Sequence, residues 1–470
     1  MKPIQIAPSS DTTSDEWLFG GFPWVSAIIC YSLSWGYLLV RPNTLYWDDW
    51  QVVPQRSSTY MSQLRNDMGQ PPWSSWFESF FVPNQLSFLR LITFILFFCT
   101  GLFFFEILKK TPFRNLNQIR LLTLIFLITP VHHARISLIL FDYTTSLFFF
   151  FGAWLVLVKA KRTLTFLLSL GLFFVSLKTH SLLFFLVLPV LHLLFLSFQQ
   201  RTNKSWQLIL QSASVAMLVP AYLLLRQVFW MPLERYEEYN TPALISAFRG
   251  MVLFVPSIAL SFLITQRLSK NYFVSNTLKA LTLGLFTFAV AIFPYVLSDN
   301  VNRYILSYNI GWQSRHLMLT NLGISFIVVG LSQIISKNKM FLAKIFIASS
   351  VSLNLFIGLQ YVTQSIQQDE VVELLELNRI NEPISEFADE TRRFKGRGAT
   401  YAEFEWFGLL RKSGYEYPYR VAYKYNCKAA PEGVRLTLKS DVTFLQGLRT
   451  RQLGTYFEIT PCSKVLATEN

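Results

Sequence analysis

Long apolar runs separated by short polar connections fill the first 364 residues of the chain. A helix of roughly 17 to 25 mostly apolar residues crosses a bilayer, so these runs predict a polytopic membrane protein. Two of them, 117–131 and 163–177, are shorter than that and end in polar loops, which predicts a cavity at that surface. We predict about eleven spans, at 18–40, 86–108, 117–131, 141–158, 163–177, 181–198, 206–229, 246–265, 277–297, 317–336 and 345–363.

The pattern changes after Thr363. The stretch "QSIQQDEVVELLELNRINEPISEFADETRRF" is charged and favours helix, with Val371, Leu374 and Leu375 on one stripe. The later segments "YRVAYKYNC", "VRLTLKS" and "TYFEIT" alternate polar and apolar positions as strands do. The predicted fold class is therefore an all-α polytopic membrane domain, residues 1–364, followed by a small α+β domain, residues 365–470.

Composition supports the membrane assignment, since 52% of residues are hydrophobic and only 15% are charged. The formal net charge of +14 is compatible with a protein that binds nucleic acid. However, residues 365–470 hold 15 basic and 15 acidic residues and so have no net charge. The whole excess therefore lies in the membrane part, and we expect no nucleic-acid partner. No Gly-rich phosphate loop is found in the sequence, which argues against a nucleotide-driven pump.

Basic residues mark alternate connections, for example Lys109 and Lys110, then Lys159 and Lys161. The positive-inside rule makes these loops cytoplasmic. The N-terminus is then cytoplasmic and eleven crossings put the C-terminal domain outside. There, Cys427 and Cys462 could form a disulfide.

Acids, histidines and arginines gather in the loops of the opposite face. The first of these loops opens with "YWDDW", in which Asp48 and Asp49 are adjacent. Two carboxylates beside a membrane cavity repel each other, which raises one pKa and suits either a general base or a metal ligand. The alternative is a pair of solvated interface charges within an aromatic belt of Tyr46, Trp47 and Trp50.

Cationic side chains on the same face could receive a phosphate. Arg315 and His316 begin a span, and an arginine fork can hold a phosphate bidentately; the alternative is an interfacial anchor. Lys178 and His180 interrupt apolar sequence, where leaving charge in lipid would be costly, although snorkelling is the alternative. Arg135 is a further candidate.

Four residues have weaker assignments. Asp142 is a candidate second acid or a helix cap. Glu234 lies in a charged loop that either binds an acceptor or is simply solvated, and Arg303 with Tyr304 form a further candidate acceptor contact.

The arrangement of a first span, an acidic motif opening a long first outer loop, many uneven spans and a polar C-terminal domain resembles the GT-C superfamily of integral membrane glycosyltransferases. The resemblance implies a polyprenyl-phosphate-sugar donor and a glycan or lipid acceptor in cell-envelope or lipopolysaccharide assembly at a bacterial inner membrane. It also implies inverting transfer, with Asp48 or Asp49 as base or as ligand of a divalent cation such as Mg²⁺ or Mn²⁺. Asp142 is the residue that could match a second acid found in this superfamily.

Two other functions remain open at this point. One is an O-antigen polymerase or ligase that uses a diphosphate-linked donor. The other is a flippase or transporter of lipid-linked oligosaccharides, which would need charges along its whole lumen rather than at one face.

Overall fold

The fold is known from a computed structural model, and the structure describes a defined part of the chain. The described residues are 19–52, 58–74, 86–111, 113, 115–199, 204–231, 233, 276–297, 312–335, 341–378, 384–389, 405, 408–409, 412–413, 427–428, 433–439 and 456–469.

Helices make up most of the described chain, which confirms the expectation of a helical membrane protein. Among the described residues, five stretches are long and apolar enough to cross a bilayer: Leu86–Leu108, Leu138–Lys159, Ser181–Phe198, Ser205–Phe229 and Phe341–Leu377. The helices are α1 Trp24–Trp35, α2 Tyr37–Val40, α3 Asp49–Val52, α4 Ser58–Asp67, α5 Leu86–Leu108, α6 Leu116–Ile128, α7 Phe141–Lys159, α8 Thr163–Ser176, α9 Ser181–Phe185, α10 Val187–Gln199, α11 Lys204–Phe229, α12 Asn276–Leu297, α13 Thr320–Ile335, α14 Phe341–Asn378 and α15 Cys462–Glu469.

The number of spans stays a prediction. Five further apolar helices are shorter, Trp24–Trp35, Leu116–Ile128, Thr163–Ser176, Leu278–Pro294 and Thr320–Ile335, and the predicted span 246–265 lies outside the described residues. The predicted first span, 18–40, is divided at Gly36 into α1 and α2. The predicted span 181–198 is likewise divided into α9 and α10.

Polar residues separate to the two ends of the bundle. At one end, which we call the lysine end, Glu106 accepts from Lys109 at 3.0 Å and from Lys159 at 2.9 Å. At the other, the motif end, lie the acidic pair and the starts of α5 and α7. Each of these two helices therefore runs from the motif end to the lysine end.

Glycines let α12 and α13 pack with their backbones close together. A Cβ on Gly323 would lie 2.7 Å from Phe288, and one on Gly284 would lie 2.8 Å from Ile327. Small residues of this kind hold membrane helices together, because lipid provides no hydrophobic drive between them. This packing fixes the helix that follows the 3₁₀ segment Trp312–Leu317.

The last membrane helix continues into the C-terminal region without a break. Helix α14 has 38 residues, Phe341–Asn378, which at 1.5 Å per residue gives about 57 Å. The predicted boundary between residues 364 and 365 therefore falls inside one helix. Composition changes there because the helix leaves the apolar layer, while its hydrogen bonding continues.

A three-stranded sheet, in the order β1-β2-β3, follows this helix. Strand β2, Val434–Leu438, pairs antiparallel with β3, Phe457–Pro461, and parallel with β1, Ile384–Asp389. The β2 and β3 positions coincide with predicted strands, but β1 lies in the stretch that we read as helix-favouring. Pairing with β2 outweighs the local helix propensity there. Most of the predicted strand "YRVAYKYNC" lies outside the described residues. The predicted disulfide is present, between Cys427 and Cys462.

A second hydrophobic core joins the C-terminal region to the acidic motif. Trp50, which directly follows the two aspartates, packs with Leu409, Phe457 and the far end of α14. A Cβ on Gly408 would lie 2.1 Å from the Trp50 ring, so only glycine allows this approach. The C-terminal region thus contacts the motif directly.

Candidate functional site

Asp49 is completely buried, and both oxygens of its carboxylate accept hydrogen bonds. Oδ1 accepts from the Ser137 hydroxyl at 2.7 Å and from the Ile139 N–H at 3.0 Å. Oδ2 accepts from the N–H groups of Leu138 at 3.0 Å and Tyr46 at 3.2 Å. A carboxylate has about four acceptor positions. All four are used by groups of the protein itself.

Arg90 lies behind Asp49 as its electrostatic partner. The guanidinium is buried in the first turns of α5, donates to the Thr44 carbonyl, and stacks 5.3 Å from the centre of the Tyr46 ring. Burial raises the pKa of the Asp49 carboxyl, while Arg90 and the donors at 137–139 oppose that rise. Sequence reasoning missed Arg90, although a lone arginine in the apolar run "LSFLRLITF" is itself a signal of a buried charge.

The backbone turns sharply just before the acidic pair. Trp47 has φ 49°, in the left-handed region that a bulky residue adopts at a cost of about 1–3 kcal/mol. Its N–H donates to Glu405 Oε1 at 3.0 Å, and Glu405 is itself buried. A carboxylate from the C-terminal region therefore holds the strained turn that begins the motif. Glu405 is a second contributor that the sequence did not reveal.

Asp48 differs from Asp49 in burial and in partners. It is partly exposed, and among the described residues its carboxylate has no hydrogen bond. Burial raises its pKa, the positive charge of Arg315 lowers it, and the negative charge of Asp49 raises it, with a net increase. Within the described part of the chain, Asp48 therefore has acceptor positions without hydrogen bonds, a raised pKa and an electrostatic interaction with Arg315.

Arg315 is brought to this place by two short 3₁₀ segments that contact each other, His133–Ile136 and Trp312–Leu317. The buried Ser314 hydroxyl accepts from the Ala134 N–H at 2.8 Å. The hydrogen bond joins residues 180 positions apart, so no local pattern could have predicted it. It places Arg315 and His316 beside the segment that carries His132 and Arg135.

Arg135 is buried among aromatic rings. Its guanidinium carbon lies 3.4 Å from the centre of the Phe97 ring and 4.5 Å from that of Trp35. One nitrogen approaches His132 Nδ1 at 3.3 Å, whereas Nε and Nη1 have no hydrogen-bond partner among the residues that the structure describes. Burial lowers the pKa of Arg135 to about 10, so the group remains cationic at neutral pH. Both nitrogens, Nε and Nη1, are shielded from solvent, so Arg135 contributes positive charge to this end of the bundle and not exposed donors.

The two histidines beside Arg135 are uncharged. Burial is the main cause that lowers the pKa of His133 to about 4, and burial together with Arg135 lowers that of His132 well below its usual value. Neutral rings do not repel the arginines, so the positive charge here belongs to Arg135 and Arg315.

A second polar cluster surrounds Asp142. Its Oδ1 accepts from Lys178 Nζ at 2.6 Å and its Oδ2 lies 2.6 Å from Arg65 Nη2, and all three side chains are buried. Arg65 comes from α4 in the first loop, and the sequence did not single it out. The structure thus places the predicted phosphate ligand Lys178 in an ion pair with the predicted second acid.

His180 lies near this cluster but contacts different residues. Its ring centre is 6.1 Å from that of Tyr222, and Arg226 donates to the Gly69 carbonyl at 3.3 Å. Burial lowers the pKa of His180 well below its usual value, and the charge of Arg226 adds to this effect. His180 and Lys178 are therefore not brought together with Arg315 by any contact in the described part of the chain.

Comparisons with protein-family models, with curated proteins and with solved structures found no match.

The described residues fit a divalent cation poorly. No group of three or more His, Cys, Asp and Glu side chains comes together among them, and the Asp49 carboxylate has no acceptor position left. We derive no chemical step through a metal. Glu234, Arg303 and Tyr304 lie outside the described residues.

Proposed function

We propose that the protein is a membrane glycosyltransferase that moves a sugar from a polyprenyl-phosphate-linked donor to a hydroxyl of a cell-envelope glycan or lipid. The observation that supports this most is the difference between the two adjacent aspartates. Asp49 uses its whole hydrogen-bonding capacity inside the protein, whereas Asp48 has no hydrogen bond among the described residues and interacts electrostatically with Arg315. We therefore assign the catalytic role to Asp48 and a positioning role to Asp49.

Sugar transfer from a lipid phosphate needs a base and a cation. The Asp48 carboxylate takes the proton of the acceptor hydroxyl while the acceptor oxygen forms a bond to the anomeric carbon. The bond between that carbon and the phosphate oxygen breaks, and the electron pair leaves with the polyprenyl phosphate. The proton ends on Asp48, and attack from the side opposite to the leaving group inverts the anomeric centre.

Positive charge at the motif end would receive the departing phosphate. Arg315 lies in the electrostatic field of Asp48, and the buried Arg135 adds a second positive charge at this end of the bundle. Guanidinium groups bind phosphate oxygens in pairs, and stabilising the leaving group lowers the barrier. Lys178 has a smaller part in this proposal, because it is paired with Asp142.

We place the motif end on the outer face of a bacterial inner membrane, with the lysine end in the cytoplasm. The clustered lysines and the Cys427–Cys462 disulfide support this orientation. In a background without Cys30 and Cys99, cysteine at Ala467 should react with an impermeant maleimide in intact cells, and cysteine at Lys161 only after permeabilisation. The reverse pattern would contradict the orientation.

A transfer assay with the wild type and two variants tests the chemistry. The purified chain is given synthetic polyprenyl-phosphate sugars and membrane acceptors, and release of polyprenyl phosphate is measured. Asp48→Asn should lower the rate by at least about 100-fold, the scale on which a general base acts. Glu373→Gln, which removes an exposed carboxylate from α14, should keep the wild-type rate.

Two outcomes would refute the proposal. One is wild-type transfer by a well-folded Asp48→Asn variant. The other is activity with diphosphate-linked donors alone, which would point to an enzyme of the polymerase or ligase type.

A further inference from the structure

A cavity of about 400 Å³ lies at the motif end, beside but separate from the residues assigned to the reaction. The end of α2, the start of α5, the middle of α14 and the C-terminal region each contribute to it. Its polar lining includes Arg41, Asn43, Gln368, Asp369 and Lys412, and its apolar lining includes Val40, Leu45 and Leu86. Pockets of this size hold small ligands.

The charges in the cavity leave an excess of positive charge. Asp369 bonds Arg41, and its other oxygen lies 3.8 Å from Lys412 Nζ. Two cations therefore share one carboxylate, for a net charge of +1. All three side chains are between 29% and 56% exposed, so water and ions reach them, and a ligand could compete for the cations.

The position of the cavity indicates where its ligand comes from. Leu86 is the first residue of the span Leu86–Leu108, and Val40 ends α2 with 61% of its surface exposed. Further along α5, Phe88, Leu91 and Ile95 are 42–48% exposed, as expected of side chains that face lipid. The cavity therefore lies at the level where apolar chain surface meets water.

We propose that this cavity binds the phosphate-bearing headgroup of a membrane lipid. Arg41 and Lys412 contact the phosphate, Asn43 and Gln368 offer hydrogen bonds to its polar substituents, and the acyl chains follow the exposed apolar surface of α5. Trp50 lines the cavity and adjoins the acidic motif, so a bound lipid lies next to the catalytic residues. The proposal does not require glycosyl transfer, because the cavity and the assigned base are different groups.

Lipid binding can be measured directly on the full chain. The purified protein in mixed micelles is titrated with dioleoylphosphatidylglycerol, dioleoylphosphatidylcholine or glycerol 3-phosphate, and complexes are counted by native mass spectrometry. Phosphatidylglycerol should bind more tightly than the zwitterionic lipid. Glycerol 3-phosphate should bind far more weakly, since it lacks the acyl chains. Equal binding of the soluble phosphate would refute the lipid assignment.

Charge variants separate this site from general lipid attraction. Lys412→Gln should weaken phosphatidylglycerol binding about two- to fivefold, the range for an exposed ionic contact. Lys464→Gln removes an exposed lysine from α15 in the same region and outside the cavity, and should change nothing. If Lys412→Gln and Lys464→Gln behave alike, the cavity is not the site.

A variant that is expected to bind more tightly distinguishes an effect on the site from misfolding. Asp369→Asn releases both cations from their carboxylate, so it should tighten phosphatidylglycerol binding by a similar factor. Loss of folding cannot imitate a gain of affinity. Weaker binding by Asp369→Asn would overturn the proposal, whereas Asp48→Asn should bind the lipid as the wild type does.

Discussion

Replacing each of the two adjacent aspartates by asparagine should separate stability from catalysis. Asp49→Asn keeps the shape of the side chain but offers one acceptor oxygen where the carboxylate offers two. Three of the four donors are backbone N–H groups, of Tyr46, Leu138 and Ile139, which cannot turn away. At least one buried N–H then faces the new amide group, while Arg90 loses its counter-charge.

The size of the effect follows from these contacts. A buried donor without a partner costs about 1–3 kcal/mol, and the loss of the negative charge that acts on Arg90 adds to this cost. The two effects overlap, since Arg90 and the N–H groups act on the same oxygens. We therefore expect Asp49→Asn to lose about 3 kcal/mol, which for a chain of 470 residues is a fall in Tm of roughly 3 °C.

Thermal unfolding followed by size-exclusion chromatography in detergent measures this change. Ser137→Ala, which removes one of the four donors, should cost about 1 kcal/mol and gives an intermediate point. Asp48→Asn should stay within about 0.5 kcal/mol of the wild type, because its carboxylate has no hydrogen bond among the described residues. Equal Tm values for the two asparagine variants would refute the division of roles.

Three further results are expected. As the proposed base, Asp48 acts only when ionised, and Arg315 lowers its pKa. Arg315→Gln should therefore move the acidic limb of the residual kcat/KM profile to higher pH, while Arg315→Lys should leave that limb in place. An unmoved limb in both variants would contradict the electrostatic interaction between Asp48 and Arg315. Asp142→Asn should lower the free energy of unfolding by about 3–5 kcal/mol, because it leaves two buried cations without a counter-charge, and a change below 1 kcal/mol in thermal unfolding would show that the cluster is not structural. Replacing Cys427 and Cys462 by serine opens a 35-residue separation, so the C-terminal region should lose about 4 kcal/mol and be cut faster in limited proteolysis, and an unchanged rate of cutting would argue against this.

The sequence predicted those parts of the fold that depend on local pattern. Apolar runs give helices because a backbone in lipid must satisfy its own hydrogen bonds, and the runs at 86–108 and 141–158 coincide closely with helices. Strand β1 was not predicted, because this segment becomes a strand by pairing with β2, about 50 residues later in the chain. The continuity of α14 across the change of composition was also missed. Polar side chains there show that the helix enters water, but they do not show that the helix ends.

The site was predictable in its residue types but not in its contacts. The pair Asp48 and Asp49 stood out in the sequence, yet nothing there could assign different roles to neighbours of the same type. That assignment comes from Ser137 and Arg90, which lie 88 and 41 positions further along the chain. Glu405 is further still, and its bond to Trp47 depends on how the C-terminal region folds back.

Because helix α14 is unbroken, the described part of the C-terminal region is joined to the membrane bundle by a continuous helix and not by a loop. A stiff rod of this length behaves as a lever, so a load placed on its outer part is carried to the residues that touch it lower down. In the C-terminal region, Gly408 packs against the Trp50 ring and Glu405 accepts a hydrogen bond from the Trp47 N–H, and these two tryptophans flank the acidic pair. We therefore expect a force applied to the C-terminal region to act on the segment that carries the acidic pair.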